Sequence, residues 1–240
     1  MAFSAKLKKI VTPRCSAVVV AAGSSARMGR DKLTLPLRGV SVLARSLQAL
    51  DGCSCISEIV VVTREDRLEE IAALCHSAGV SKVRSVVKGG KTRTESALAG
   101  LLAIDSRSRY VLIHDGARPL VTEETVEAVL RSAAAYRNAC PAVPVTDTVK
   151  RCEGDVVVET PERSSLRAVQ TPQGFLTDLV KTALTKAVAA GKEYTDDCAA
   201  VEALGVPTHI CQGSAENIKI TAPQDIELAE LILQRREAET

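Results

Sequence analysis

"AVVVAAGSSARMGRDKL", residues 17–33, decides how the rest of the chain is read. Residues 17–22 are small and apolar throughout, the pattern of a strand covered on both faces. The strand ends on Gly23, and a glycine turn in that position can turn backbone N–H groups toward phosphate oxygens. The stretch nevertheless matches neither G-x-x-x-x-G-K-S/T nor G-x-G-x-x-G, and it carries Arg27, Arg30 and Lys32 within six positions. For the glycine alone, a plain strand–loop–helix turn with solvated basic residues is the better reading. The added cations favour a phosphate site, where Arg27 and Lys32 would meet the negative charge that accumulates during phosphoryl or nucleotidyl transfer.

The same alternation runs along the chain. Further strand candidates are 58–63, 83–87, 110–115, 140–145, 155–160 and 208–212. Between them lie helical patterns beginning at Ser41, Asp66, Thr94, Glu123, Thr177, Asp196 and Pro223. Thr122 before two glutamates marks a helix start, Gly79 and Gly205 mark stops, and Pro223 suits a first turn. Apolar strands alternating with helices predict an α/β fold with a mainly parallel sheet and helices on both faces. Neither a repeat nor a low-complexity linker divides the chain, so a single domain over 1–240 is expected. The irregular stretch 146–173 has two extended segments around Glu153-Gly154-Asp155 and predicts a projecting hairpin. An arm of that kind is poorly buried in one copy and suits packing on another subunit.

Composition limits the function classes. The 31 basic and 29 acidic residues nearly cancel, so any site for a polyanion must be local. Two Phe, three Tyr and no Trp leave few stacking platforms, which argues against nucleic acid as a partner. The eight cysteines are scattered without a CxxC pair and read as free core thiols of a reducing compartment. With no apolar run of membrane-spanning length and no signal-like leader, a soluble cytoplasmic protein is expected.

Ligands of open α/β sheets lie beyond the carboxyl ends of the strands. "HDGARP", 114–119, places Asp115 at such an end, suited to holding Mg²⁺ between phosphates, with Arg118 three residues on. His114 reads as a structural residue rather than a base. "GGKTRTES", 89–96, offers two glycines before a helix start carrying Arg93 and Ser96. "TDD", 195–197, reads as ordinary first-turn acids. In "NIKIT", 217–221, Lys219 lies between two isoleucines of an alternating strand candidate, which either leaves it on an exposed face or aims it at the site.

Together with "AAGSSARMG", "DTVKR" and "TPQGF", these motifs in this order resemble the 2-C-methyl-D-erythritol 4-phosphate cytidylyltransferases of the non-mevalonate isoprenoid pathway, over roughly residues 15–235. The resemblance implies a Rossmann-like nucleotidyltransferase fold, a homodimer exchanging β-arms, and Mg²⁺-dependent attack on CTP. It implies catalytic roles for Arg27 and Lys32, and nucleotide binding by Ala21, Ala22, Gly23, Gly90, Ser96, Asp115, Gly116 and Lys219, with Asp115 also the metal ligand. Thr148 and Arg163 on the arm, with Arg118 and Thr171, would bind methylerythritol phosphate. Where the family usually shows a Pro-Lys-Gln run, this chain has Asp31-Lys32-Leu33. With no cyclase segment following the match, a stand-alone enzyme is expected. A ribitol-5-phosphate cytidylyltransferase shares most of these motifs. An NADP-dependent oxidoreductase using Arg64 would need the later glycines that "GSSARM" lacks. A catalytically dead nucleotide-binding module would leave the pairing of Arg27 with Lys32 unexplained.

Overall fold

The valine run forms Cys15–Val20 (β1), which lies inside a sheet rather than at its edge. The computed structural model describes residues 13–23 and 31–239. β1 pairs in parallel with Ile56–Thr63 (β4) on one side and Tyr110–Asp115 (β6) on the other, and Val83–Lys88 (β5) continues the parallel set beyond β4. On the far side of β6 lies Gln173–Leu176 (β11), antiparallel both to β6 and to Asn138–Pro144 (β7). Arg167–Val169 (β10) pairs antiparallel with β7, and His209–Gln212 (β12) pairs parallel with it. The resulting order is β10-β7-β11-β6-β1-β4-β5.

Both faces of the sheet are buried, which is why its central strands lack polar alternation. Ala17 and Val19, with Ile59, Val61 and Leu112, face one core. Four helices close it: Val42–Asp51 (α1), Leu68–Ser77 (α2), Glu123–Tyr136 (α4) and Pro223–Ala238 (α7), through Leu47, Ile71, Leu130 and Ala229. Val18, Val60, Val62, Val111 and Ile113 face the second core against Arg93–Ala103 (α3), Thr177–Ala189 (α5) and Asp197–Glu202 (α6). Each large side chain so buried contributes roughly 1.5–3 kcal/mol over leaving it exposed.

The seven helices match the seven helical patterns, with Thr122 capping α4 through the Thr125 N–H at 3.4 Å and Pro223 opening α7. The strands need correction. β1 ends at Val20, two residues short of the expected end, so Ala21, Ala22 and Gly23 belong to the loop. β10 and β11 were not expected, nor was the short hairpin Pro36–Leu37 (β2) and Val40–Ser41 (β3). The segment around Lys219 is not a strand: its Ile220 N–H bonds to the Ala117 carbonyl at 2.8 Å outside any sheet.

The projecting hairpin consists of Arg151–Glu153 (β8) and Val156–Glu159 (β9), turned by Gly154 and Asp155, and forms a two-stranded sheet of its own. Ion pairing of Arg151 with Glu159 and the Lys150–Thr160 hydrogen bond, both 2.8 Å, lace it across. Every residue of its strands is exposed, Val156 at 67%. All eight cysteines are free, and among the described residues no helix is long and apolar enough to cross a membrane.

Candidate active site

A cleft of about 450 Å³ opens beyond the carboxyl ends of β1, β5 and β6, within the size range of small-molecule sites. Its first wall is the loop after β1. The Ala21 N–H still reaches the Val62 carbonyl at 2.7 Å, which holds Ala21, Ala22 and Gly23 at the mouth of the cleft. Arg27 and Ser25 lie outside the described residues. The chain returns at Asp31 and makes a single 3₁₀ turn, Lys32–Thr34, which puts Lys32 on the cleft wall while Leu33 is buried in the core.

The second wall is the start of α3. Thr92 caps the helix by accepting the Glu95 N–H at 3.1 Å, and Glu95 reaches back to the Lys91 N–H at 2.5 Å, close to a reciprocal capping box. Ser96 donates to the Thr92 carbonyl at 2.8 Å and accepts the Gly90 N–H at 3.2 Å. Its hydroxyl therefore holds the glycine loop in shape, and Gly90, Lys91, Thr92, Arg93 and Ser96 all face the cleft.

Asp115, at the end of β6, is the cleft's carboxylate. Lys219 stands 2.7 Å from its Oδ2, Arg93 3.4 Å from its Oδ1, and the Arg118 Nε 4.0 Å from its Oδ2. Burial by itself pushes the Asp115 carboxyl up, but Lys219 and Arg93 prevail and hold it well below the usual carboxylate range. Arg93 also pairs with Asp197 at 2.8 Å. Burial works against the Arg93 charge, and the two carboxylates more than offset it, raising its pKa. Asp197 is 1% exposed, so it is no solvated first-turn acid. Burial pushes its carboxyl up against the pull of Arg93. Asp196 does play the ordinary part, capping α6 through the Ala199 N–H at 2.8 Å.

Behind Asp115 lies a buried polar relay. The Asp115 N–H donates to the Thr171 Oγ1 at 3.0 Å, and the Thr171 hydroxyl donates to the His114 Nδ1 at 3.1 Å, because the one proton of the neutral ring is held on Nε2. The His114 Nε2–H then donates to the Arg118 carbonyl at 3.2 Å. His114 is fully buried, and burial pushes its pKa down to about 4, so it is neutral at pH 7. Arg118 donates to the Asn217 carbonyl at 2.6 Å, and Asn217 donates to the Thr171 carbonyl at 2.9 Å. Together these bonds lock the segment that presents Lys219.

The expected site residues among those described thus divide into four groups. Ala21, Ala22, Gly23, Lys32, Gly90, Ser96, Asp115 and Lys219 come together on one cleft. Gly116 does not line it: Gly116 is buried, its N–H donates to the Val20 carbonyl at 3.0 Å, and its own carbonyl accepts from Ser46 at 2.8 Å. Arg118 and Thr171 stand behind Asp115, bonded to the Asn217 carbonyl and the Asp115 N–H, while the buried Arg118 Nε makes no hydrogen bond among the described residues. Thr148 and Arg163 lie on the exposed arm, where Arg163 bonds to the Thr146 carbonyl at 3.0 Å. Sequence reasoning underrated Arg64, Arg93 and Asp197. Arg64 reaches the cleft from the loop after β4, a strand-end position that is itself the available signal. Asp197 gives none, because its burial follows only from the packing of α6.

Among the described residues the wall carries the cations Lys32, Arg64, Lys91, Arg93 and Lys219 against one carboxylate, Asp115. Such a cleft is complementary to a polyanion. No group of three or more metal-ligating side chains exists among the described residues. Asp115, ionised and on the cleft wall, could give a divalent cation a protein oxygen, with the rest of its shell coming from a phosphate-bearing ligand and water. That arrangement is normal for Mg²⁺, and the residues fit it.

Known proteins share this architecture. Residues 15–235 match the family model of 2-C-methyl-D-erythritol 4-phosphate cytidylyltransferase. The enzyme of that name from Halalkalibacterium halodurans is 42% identical over 224 residues, covering 92% of this chain and 98% of its own. Its counterpart in Symbiobacterium thermophilum is 43% identical over 222 residues, covering 91% and 92%. The crystal structure of 4-diphosphocytidyl-2C-methyl-D-erythritol synthase from Anaerococcus prevotii superposes with a TM-score of 0.82 at 32% identity, covering 93% of this chain and 97% of that one. With its sequence matched nearly end to end and its fold superposed on a member of known structure, the chain belongs to the 2-C-methyl-D-erythritol 4-phosphate cytidylyltransferase family.

Proposed function

We propose that this chain transfers the cytidylyl group of CTP to 2-C-methyl-D-erythritol 4-phosphate, releasing pyrophosphate, in non-mevalonate isoprenoid synthesis. The observation that carries this reading is the five-cation cleft at the strand ends, in a chain of this family. A phosphate oxygen of methylerythritol phosphate attacks the α-phosphorus of CTP. That oxygen is already anionic near neutral pH, so no general base is required, consistent with a neutral, buried His114. What the reaction needs is orientation and neutralisation of the charge that builds up on the phosphates.

In this reading Lys32 and Arg27 stabilise the transition state, and Lys219 and Arg93 hold the triphosphate. The Ala21–Gly23 loop and the Gly90–Ser96 turn enclose the nucleoside. Asp115 would hold Mg²⁺, which when bound supplies further neutralisation of the phosphates. Arg118 and Thr171 keep Asp115 and the Lys219 segment in place. The site of the second substrate would be completed by a partner copy, whose arm would grip methylerythritol phosphate through its own copies of Thr148 and Arg163. Buried free thiols suit a reducing, cytoplasmic setting.

The test is pyrophosphate release from CTP with methylerythritol phosphate or ribitol 5-phosphate as acceptor. Turnover with methylerythritol phosphate is expected, and turnover with ribitol phosphate alone would overturn the assignment.

A further inference from the structure

Lys32 sits on a turn that is weakly held by its own backbone. Within Lys32–Thr34 the closing bond, from the Leu35 N–H to the Lys32 carbonyl, is 3.3 Å long. The side chain itself is a point charge on a flexible four-carbon stem, so its aim depends on where this turn is held. Support comes from outside the cleft. One oxygen of Asp31 accepts the Leu33 N–H at 2.9 Å and so caps the turn, while the other pairs with the guanidinium of Arg67. Arg67 belongs to the turn Glu65–Arg67 that precedes α2, and its side chain is 8% exposed. Its remaining edge is held in a fork by Glu70, Nε to Oε2 at 2.9 Å and Nη2 to Oε1 at 2.7 Å. The Asp31–Arg67 pair therefore ties the loop after β1 to the loop after β4.

We propose that Asp31 and Arg67 form a positioning clamp for Lys32, contributing to turnover although Arg67 does not line the cleft. The proposal rests on the reading of Lys32 as a transition-state cation. Its energetic basis is the steep dependence of catalysis on placement, where an error of about 1 Å in a reacting or charge-stabilising group costs about a hundredfold. A planar guanidinium suits this role because it can engage Asp31 and Glu70 at once, which an ammonium does less well.

The experiment is a set of full-length variants, Arg67→Gln, Asp31→Asn and Lys32→Ala, singly and with Arg67→Gln combined with Lys32→Ala. Folding is checked by near-ultraviolet circular dichroism, and kcat and KM are measured for both substrates. Arg67→Gln is expected to lower kcat by about ten- to a hundredfold, with the KM for methylerythritol phosphate within about twofold of the parent. Adding Arg67→Gln to Lys32→Ala should lower kcat no further, since the clamp acts through the lysine. Asp31→Asn keeps the cap on Leu33 but removes the charge that faces Arg67. It should reproduce the kcat loss and serves if Arg67→Gln does not fold. Parent-like kcat in a folded Arg67→Gln or Asp31→Asn, or an equal further loss in the Lys32→Ala background, would overturn the clamp and leave the role of Lys32 standing. Parent-like turnover in Lys32→Ala would overturn both.

Discussion

At the scale of single residues, the proposed reaction divides the cations of the cleft into those that bind and those that act on the transition state. Lys219 and Arg93 are both paired with Asp115, and in the proposed reading they hold the triphosphate. Lys32 lines the same cleft from the 3₁₀ turn Lys32–Thr34. Lys32→Ala should lower kcat by about a hundredfold or more while changing the dissociation constant for CTP by less than about tenfold, read from single-turnover kinetics and calorimetric titration. Comparable losses in the two quantities would place Lys32 in ground-state binding instead. His114 makes a different prediction. The unfolded chain takes up this proton near pH 6.5, the folded chain only near pH 4. Between those values the unfolded state binds more protons, so stability is full above pH 6.5 and falls as the pH drops toward 4. The loss is on the order of 3 kcal/mol. Urea unfolding across this window should show the slope, and His114→Gln should flatten it; equal slopes in both proteins would rule out His114 as its source. The sequence disclosed residues whose position at a strand end says enough by itself, such as Asp115 and Gly23. It hid Asp197, because a first-turn acid and a buried counter-ion for Arg93 look alike until the helix is packed.

At the scale of elements, α3 links core and cleft. Gly100 lets the helix lie directly on the sheet: a Cβ there would come within 2.3 Å of the Val18 Cγ1 and 2.7 Å of the Val62 Cγ2. Gly100→Ala gains up to about 1 kcal/mol in helix propensity, but forces α3 off two buried strands at a cost of about 1–3 kcal/mol. A lower melting temperature is expected in calorimetry. A higher KM for CTP should accompany it, because the first turn of the same helix carries Arg93 and Ser96. An unchanged KM would show that α3 yields without moving its N-terminus. The parallel strands and all seven helices were legible because periodicity and capping are local signals. β11 was not. "QGFL" is four residues long, includes a glycine and follows a proline, and nothing local shows that it inserts between two longer strands. The segment around Lys219 failed for the opposite reason: its alternation is real, but no neighbouring strand is there to pair with it.

At the scale of the whole molecule, the arm is the part left exposed in the single chain. A lone two-stranded hairpin is marginal in water, and this one exposes Val156 and Val158 on one face, at 67% and 40%. If these valines seat the arm on a partner, Val156→Asp with Val158→Asp should shift sedimentation from dimer toward monomer. Turnover should fall with it, since Thr148 and Arg163 would leave the neighbouring cleft. A dimer of unchanged strength would place the interface elsewhere. The sheet order also bears on how the protein is made. β6 and β7 flank β11 and meet only through it, yet both precede it in the chain, and the arm lies between β7 and β11. A polypeptide emerging from the ribosome can assemble β1, β4, β5 and β6 early, but the outer edge of β6 stays open until residue 176 has been synthesised. Through that interval the parallel strands can be paired, but the Lys219 segment and α7 are still to come and β7 is not yet joined to β6, leaving an uncovered strand edge for chaperones or for aggregation to find.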